Sequence, residues 1–268
     1  MISCKEYVAL RKEELKEQVA EFKRAPKLYV IQIGDDPASN SYIKGKQRDC
    51  MELGILCEHV HIKDYAYFSE HELYSLIYRL NMDNSVDGII VQLPIPAKYN
   101  VSLVQKMISR EKDVDGFRKD SDFIPCTPKG IMDYLDYNEV DIVGKVCTVI
   151  GRSEIVGKPL VNLLIDRGAT VISCNSKTLN INKYTGSSDI VISAIGKANY
   201  FNEYYFTNKQ VLIDVGINRD EDGKLCGDIT ADAKQGALLA TPVPNGVGLL
   251  TRLALMENTI EAYTKYND

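Results

Sequence analysis

Apolar residues along this chain follow two alternating rhythms. Short β-branched runs such as Lys27–Ile33, Ile55–His61 and Gly88–Gln92 read as strands, and the segments between them repeat apolar residues at helical spacing. The first helix is expected from about Cys4 to Lys23, amphipathic with many Lys and Glu, and the second over Ala38–Leu53. Ser69-x-x-Glu72 is a capping box that opens a helix to about Leu80. The run at Gly88 is stopped by Leu93-Pro94-Ile95-Pro96, and a helix near Val101–Ser109 precedes the loop Glu111–Gly116. Pro125-Cys126-Thr127-Pro128 starts another helix. From Lys145 a second series begins, with strands over about 145–150, 170–174, 190–194, 211–215 and 237–241 and a closing helix from Gly246 to about Tyr266. Alternating βα units imply parallel sheets with right-handed crossovers. The fold class is therefore α/β, in two lobes that each carry a mostly parallel sheet, a division that the 268-residue length also favours.

The second series opens on Val146–Ile150 running straight into Gly151-Arg152-Ser153-Glu154-Ile155-Val156-Gly157. A strand ending at glycine and followed by a helix can hold a diphosphate, because the amides at the helix start carry partial positive charge toward the ligand. The match to the dinucleotide fingerprint is imperfect, with Ser153 and Val156 at the later glycine positions and Gly157 one place late. The next strand ends in Asn175-Ser176-Lys177, with no acid to hydrogen-bond a ribose hydroxyl. A carboxylate there would repel a 2′-phosphate, whereas Arg152 and Ser176 would pair one. Lys177 by itself reads as an ordinary surface cation. The second lobe is thus expected to be a Rossmann-type domain that binds NADP.

Net charge is −5, which argues against nucleic-acid binding by a general basic surface. No apolar run approaches the roughly 20 residues that span a bilayer, and Met1–Glu6 does not resemble a signal segment. Seven scattered cysteines, none in a C-x-x-C pair, fit a reducing cytoplasm. His59, His61 and His71 lack metal-ligand spacing and are assigned to strand and helix surfaces.

Tyr42 and Lys46 stand four residues apart, hence on one helix face, after the turn Gly34–Ser39. That turn lies at the carboxyl end of a strand, where open α/β sheets put their ligands. Gln92 and Asp115 also follow strand or helix ends in the same lobe. Spacing alone equally allows a solvated lysine whose stem is covered by Tyr42, and an Asp115 that caps an Asp-Gly turn.

The segments Ser39-Asn40-Ser41-Tyr42 with Lys46, Val91-Gln92-Leu93-Pro94, Lys112–Gly116, Pro125–Pro128, Gly151–Ser153 with Val156-Gly157 and Pro159, Asp214–Asn218, and Thr241–Pro244 come in one order and spacing. In these the chain resembles the bifunctional methylenetetrahydrofolate dehydrogenase/methenyltetrahydrofolate cyclohydrolase family, nearly end to end. The resemblance implies a folate-binding catalytic lobe (1–120 with 248–268) facing an NADP lobe (121–247) across a cleft, in a homodimer paired through the cofactor lobes. It implies that tetrahydrofolate derivatives are the substrates, that Tyr42 stacks on the folate, that Lys46 is the key catalytic group, that Gln92 orients it, and that Asp115 hydrogen-bonds the pterin. Gly151, Arg152, Ser153, Ser176 and the backbone of Ile217 would line the NADP site. The other readings are a family dehydrogenase without cyclohydrolase activity, an NADP-dependent dehydrogenase of another small substrate, and a non-catalytic NADP sensor. Retention of Lys46 opposes the first, and the first lobe's motifs oppose the other two.

The two implied reactions need different help. Oxidising the methylene bridge removes a hydride and leaves a nitrogen-stabilised cation, so positioning suffices. Hydrolysing the methenyl cation requires a proton to leave water and another to reach a ring nitrogen, which one amine can serve. Burial beside a cationic folate favours the neutral form of a lysine. Three departures from the family pattern concern the cofactor: Asn175 for His, Asn245 for Gly, and Leu249-Leu250 for Pro-Met. Asn tolerates left-handed backbone, so the turn at Asn245 is expected to survive.

Overall fold

The computed structural model describes residues 1–267. Its first helix, α1 (Cys4–Ala20), buries Cys4, Tyr7, Val8, Leu15 and Val19, a stripe at helical spacing. It ends three residues before the expected Lys23, where the chain turns to set Arg24 on the buried Asp87 at 2.7 Å. β1 (Lys27–Ile33), α2 (Pro37–Leu53), β2 (Leu56–Ile62), α3 (Glu70–Met82), β3 (Gly88–Val91), α4 (Val101–Met107) and α5 (Cys126–Tyr137) follow. Both halves of the Ser69–Glu72 capping box form at the start of α3. The three strands make a parallel sheet in the order β2-β1-β3, with Lys27 opposite Leu56 and Leu28 opposite Gly88. Ile31 and Ile33 of the central strand pack with Leu73, Ile77 and Leu80 of α3 and with Ile89 and Val91 of β3.

The later elements are β4 (Val146–Ile150), α6 (Gly157–Asp166), β5 (Thr170–Cys174), α7 (Ile181–Gly186), β6 (Ile190–Ser193), β7 (Val211–Asp214), β8 (Asn218–Arg219), β9 (Leu225–Cys226), α8 (Ala231–Lys234), β10 (Leu239–Ala240) and α9 (Val247–Asn267). Five of the strands form a wholly parallel sheet in the order β10-β7-β6-β4-β5. From β4 the chain goes first to β5 on one side and then to β6 on the other. The carboxyl end of β4 is therefore the point where strand order reverses and open sheets bind ligands. Ile150, Val191, Phe201, Leu212 and Ile229 form the core on one side of this sheet.

Two compact units result. One comprises Met1–Ala9 and Thr127–Thr251, the other Leu10–Cys126 and the chain from Arg252 onward. The β8–β9 hairpin was not expected from the sequence, since two-residue strands around Asp220–Gly223 carry no alternation to read. Elsewhere most boundaries move by a residue or two, as at α4, which ends at Met107 when Ile108 turns extended.

Candidate active site

α2 begins where β1 ends. Gly34 turns the chain off the strand with φ +87, Asp36 caps the helix by accepting the Ser39 N–H at 2.7 Å, and Pro37 fills the first position. The helix buries Ser39, Ile43, Lys46, Cys50 and Leu53, so Lys46 occupies a stripe made for apolar residues and is only 7% exposed. A buried amine requires a partner. Lys46 Nζ donates to Gln92 Oε1 at 3.1 Å. Gln92 directly follows β3, which pairs with β1, and its own Nε2 donates to Leu93 O at 2.8 Å. That second bond decides which end of the amide faces the lysine. Because the acceptor is an amide rather than a carboxylate, it holds the amine in place without adding a charge to the site. Tyr42 lies one turn before Lys46, half-buried, and burial pushes its phenol above the usual tyrosine range against the opposing charge of Arg252.

The loop Lys112–Gly116 runs beside β3, with the Ile89 N–H donating to Lys112 O at 2.9 Å. Lys112 Nζ donates to the carbonyls of Leu80, Asn81 and Asp83 at 3.0, 2.8 and 2.7 Å and so closes the end of α3. Asp113 is buried and accepts the Arg118 N–H at 2.8 Å, and its burial pushes the carboxyl up to about 6. Gly116 has φ +71, and a Cβ there would meet Pro125 N at 2.6 Å. These neighbours build a frame around Asp115, whose half-exposed carboxylate has no hydrogen-bond partner among the described residues. Lys46 and Gln92 are therefore in contact and Tyr42 shares the helix face of Lys46, while no described contact joins Asp115 to them.

The other unit carries the candidate nucleotide cradle. Gly151 has φ +115, and a Cβ there would stand 2.4 Å from Ala194 O. At Gly157 a Cβ would stand 2.1 Å from Gly151 O, so this late glycine is what lets α6 close on the turn. Ser153 Oγ accepts the Val156 and Gly157 N–H groups, both at 3.2 Å. Those two amides, expected to face a ligand, are engaged by the serine instead. Arg152 folds back onto the end of β5, where Nε donates to Ser173 Oγ at 3.1 Å and Nη2 to Ser173 O at 2.5 Å. It thus stands beside the strand that leads into Asn175, Ser176 and Lys177, the latter two exposed. Ile217 follows β7, two strands away from β4, and is exposed. Asn245 adopts φ +70, the left-handed conformation that a glycine would supply.

The sequence reading gave no role to two buried carboxylates that hold the loop bearing Ile217, Asp214 entering only as the start of a family segment and Asp228 not at all. Asp228 accepts from Ser193 Oγ, the Ile195 and Lys197 N–H groups and Asn218 Nδ2 at 2.8–3.1 Å. Asp214 accepts from Lys234 Nζ at 2.7 Å and from the Gly216, Asp228 and Ile229 N–H groups at 2.9–3.1 Å. Asp214 closes the apolar run of β7, and a carboxylate at the end of a buried strand was the available signal. Asp49 and Arg252 were missed too, although Asp49 follows Lys46 by three residues in the buried part of α2.

Residues 2–115 match the family model described as tetrahydrofolate dehydrogenase/cyclohydrolase, catalytic domain, and residues 125–267 match the NAD(P)-binding domain of the same family. The bifunctional protein FolD of Bacillus subtilis is 41% identical over 98% of this chain and 96% of its own length. The crystal structure of the bifunctional methylenetetrahydrofolate dehydrogenase/cyclohydrolase FolD from Campylobacter jejuni superimposes with a TM-score of 0.94 at 38% identity, over 98% of both chains. The Trypanosoma brucei dehydrogenase-cyclohydrolase, solved with NADP cofactor and an inhibitor, gives 0.92 at 30% identity over 99% of this chain and 97% of its own.

Proposed function

Since this chain belongs to the tetrahydrofolate dehydrogenase/cyclohydrolase family, we propose that it oxidises 5,10-methylenetetrahydrofolate with NADP and hydrolyses the resulting methenyl cation to 10-formyltetrahydrofolate, as a step of one-carbon metabolism. The observation that carries the reading is the buried Lys46 amine held 3.1 Å from Gln92 at the carboxyl ends of paired strands, with Tyr42 on the same helix face.

In this reading Tyr42 stacks its neutral ring on the folate, and Asp115 offers free carboxylate oxygens to the pterin's N–H groups. NADP, when bound, supplies the hydride acceptor. The turn suits such a dinucleotide: without side chains at Gly151 and Gly157 the backbone closes tightly on Ala194 O and on Gly151 O, so the strand-to-helix turn that would meet a diphosphate forms, and Arg152 stands at the end of β5 where a 2′-phosphate would be paired. For the hydrolytic step Lys46 Nζ accepts the proton of the attacking water and returns it to the ring nitrogen as the carbon–nitrogen bond breaks. Gln92 keeps the amine aimed throughout, because its oxygen stays an acceptor in both protonation states of the lysine.

The chain is further proposed to work as a homodimer paired through the cofactor-binding unit and to reside in the cytoplasm. Seven free thiols suit a reducing compartment, and no described helix is long and apolar enough to cross a membrane. Assays of the purified protein with methylene- and methenyl-tetrahydrofolate, with NADP or NAD, test the reading directly. NADP-dependent appearance of methenyl followed by formyl product is expected. Accumulation of methenyl product at its uncatalysed hydrolysis rate would leave a dehydrogenase alone, and no turnover of either folate would overturn the assignment.

A further inference from the structure

Lys46 is surrounded by more charge than its reaction uses. Asp49, one turn further along α2, is buried and shared by two cations: Lys12 Nζ lies 2.8 Å from Oδ1 and Arg252 Nε lies 2.7 Å from Oδ2. Arg252 comes from α9, and its side chain is 17% exposed. The approach of Arg252 is a charge contact rather than an aligned hydrogen bond, so Asp49 alone does not fix where the guanidinium sits. Gly45 does. A Cβ at that position would lie 2.2 Å from Arg252 Nη1 and 3.1 Å from Cζ, so the guanidinium rests on the bare backbone of α2. The residue it covers immediately precedes Lys46, and the same cation acts on Tyr42 one turn earlier. Glycine in a helix interior is unfavourable. Here it leaves the volume that the arginine fills.

We propose that Arg252 is a positioning residue for the hydrolytic reaction, seating the turn of α2 that presents Tyr42 and Lys46 through its contact with Gly45 and its charge pair with Asp49. This inference rests on the functional reading above. Ile43, Cys50 and Leu53 anchor the adjacent stripe of α2, but positions 45 and 49 carry no apolar side chain, so a planar cation on the backbone with a carboxylate beside it restrains this side of the helix.

Gly45→Ala separates positioning from stability. The atoms nearest the added methyl all belong to the flexible Arg252 side chain, from Nη1 back to Cδ, and none to backbone, and alanine is the better helix former, so the fold is kept while the guanidinium is displaced. The melting temperature should stay level or rise, and kcat for methenyl hydrolysis should fall about ten- to a hundredfold, with NADP affinity unchanged. Arg252→Met should lose a similar factor, and the double variant should be no worse than either single one, since both act through one contact. Arg252→Lys in the Gly45→Ala background should recover most of the rate, because a slimmer ammonium clears the methyl and still reaches Asp49. Wild-type kcat in Gly45→Ala and Arg252→Met, losses that multiply in the double variant, or losses that only track a falling melting temperature would each overturn the proposal. A wild-type enzyme with no hydrolytic activity would instead overturn the functional reading.

Discussion

Replacing Lys46 with Met removes one amine and little else. Among the described residues Nζ makes a single hydrogen bond, to Gln92 Oε1 at 3.1 Å, and Met keeps an unbranched apolar stem in the same buried stripe. The lost bond is worth about 1 kcal/mol, partly offset because a buried polar group disappears with it. Gln92 is half-exposed, so its freed oxygen can turn to water. Stability should therefore change by no more than about 1 kcal/mol. Losing the group that moves protons should lower methenyl hydrolysis by about 10²–10⁴-fold, or roughly 3–5 kcal/mol of barrier, well beyond anything the fold loses. Oxidation of the methylene bridge transfers no proton and should fall less, through poorer folate positioning. The variant should then release methenyl-tetrahydrofolate during turnover, which absorbance and formyl-product measurements in one reaction can follow. Hydrolysis at the wild-type rate would remove Lys46 from the mechanism.

Arg152→Ala should weaken NADP about ten- to a hundredfold, the value of one charge-assisted contact, while NAD binding measured by calorimetry changes little; equal losses for both would refute a 2′-phosphate role. Asp115→Ala should impair both reactions and leave NADP affinity intact, and a collapse of NADP binding would show the residue to be structural. The Asp113 carboxyl is held up to about 6 against an ordinary 3.8, so folding favours its protonated form. Its contribution is fully present below about pH 4 and is lost as pH rises toward 6, on the order of 3 kcal/mol. Asp113→Asn should flatten the stability profile over that interval, and denaturation curves that stay parallel to wild type from pH 4 to 6.5 would show that the carboxyl is not the cause.

What the sequence revealed of the fold follows from burial. Strands that lie inside parallel sheets are apolar throughout, so β1, with Val30, Ile31 and Ile33 all buried, and β6, buried along its whole length, announce themselves without their neighbours. A hairpin such as β8–β9 has two residues per strand and half its side chains in solvent, and nothing local marks it. The site was legible in the same measure. Lys46 is visible because it stands one turn after Tyr42 on a helix that opens at a strand end and because that pair matches the family pattern, and Gly151 because an apolar strand stops there ahead of a helix. Ser153 is proposed to line the cofactor site, and its hydroxyl also caps the helix that follows, a local bond that spacing does not reveal.

The glycines that stayed silent share one physical reason. At Gly216 a Cβ would lie 2.2 Å from Asp228 Oδ1, and at Gly227 it would lie 1.9 Å from Asp214 Oδ2. Each glycine is small because the aspartate beside the other glycine occupies its side-chain volume. The Asp228 N–H donates in turn to Asp214 at 2.9 Å, so the two loops lock reciprocally beyond the ends of β6 and β7. Gly45 belongs to the same class, with Arg252 as the occupant. Read locally, Gly45 is a helix defect of about 1 kcal/mol, and Gly216 and Gly227 are ordinary loop residues. Read with their distant partners, all three mark places where a charged side chain must approach a backbone, and those backbones carry Lys46 and Ile217. A glycine without a turn to justify it is thus a question about which remote side chain needs the space. For Gly45, Gly216 and Gly227 the answer is a charged side chain that holds a residue of the proposed site, whereas at Gly88 the occupant is the apolar Val114.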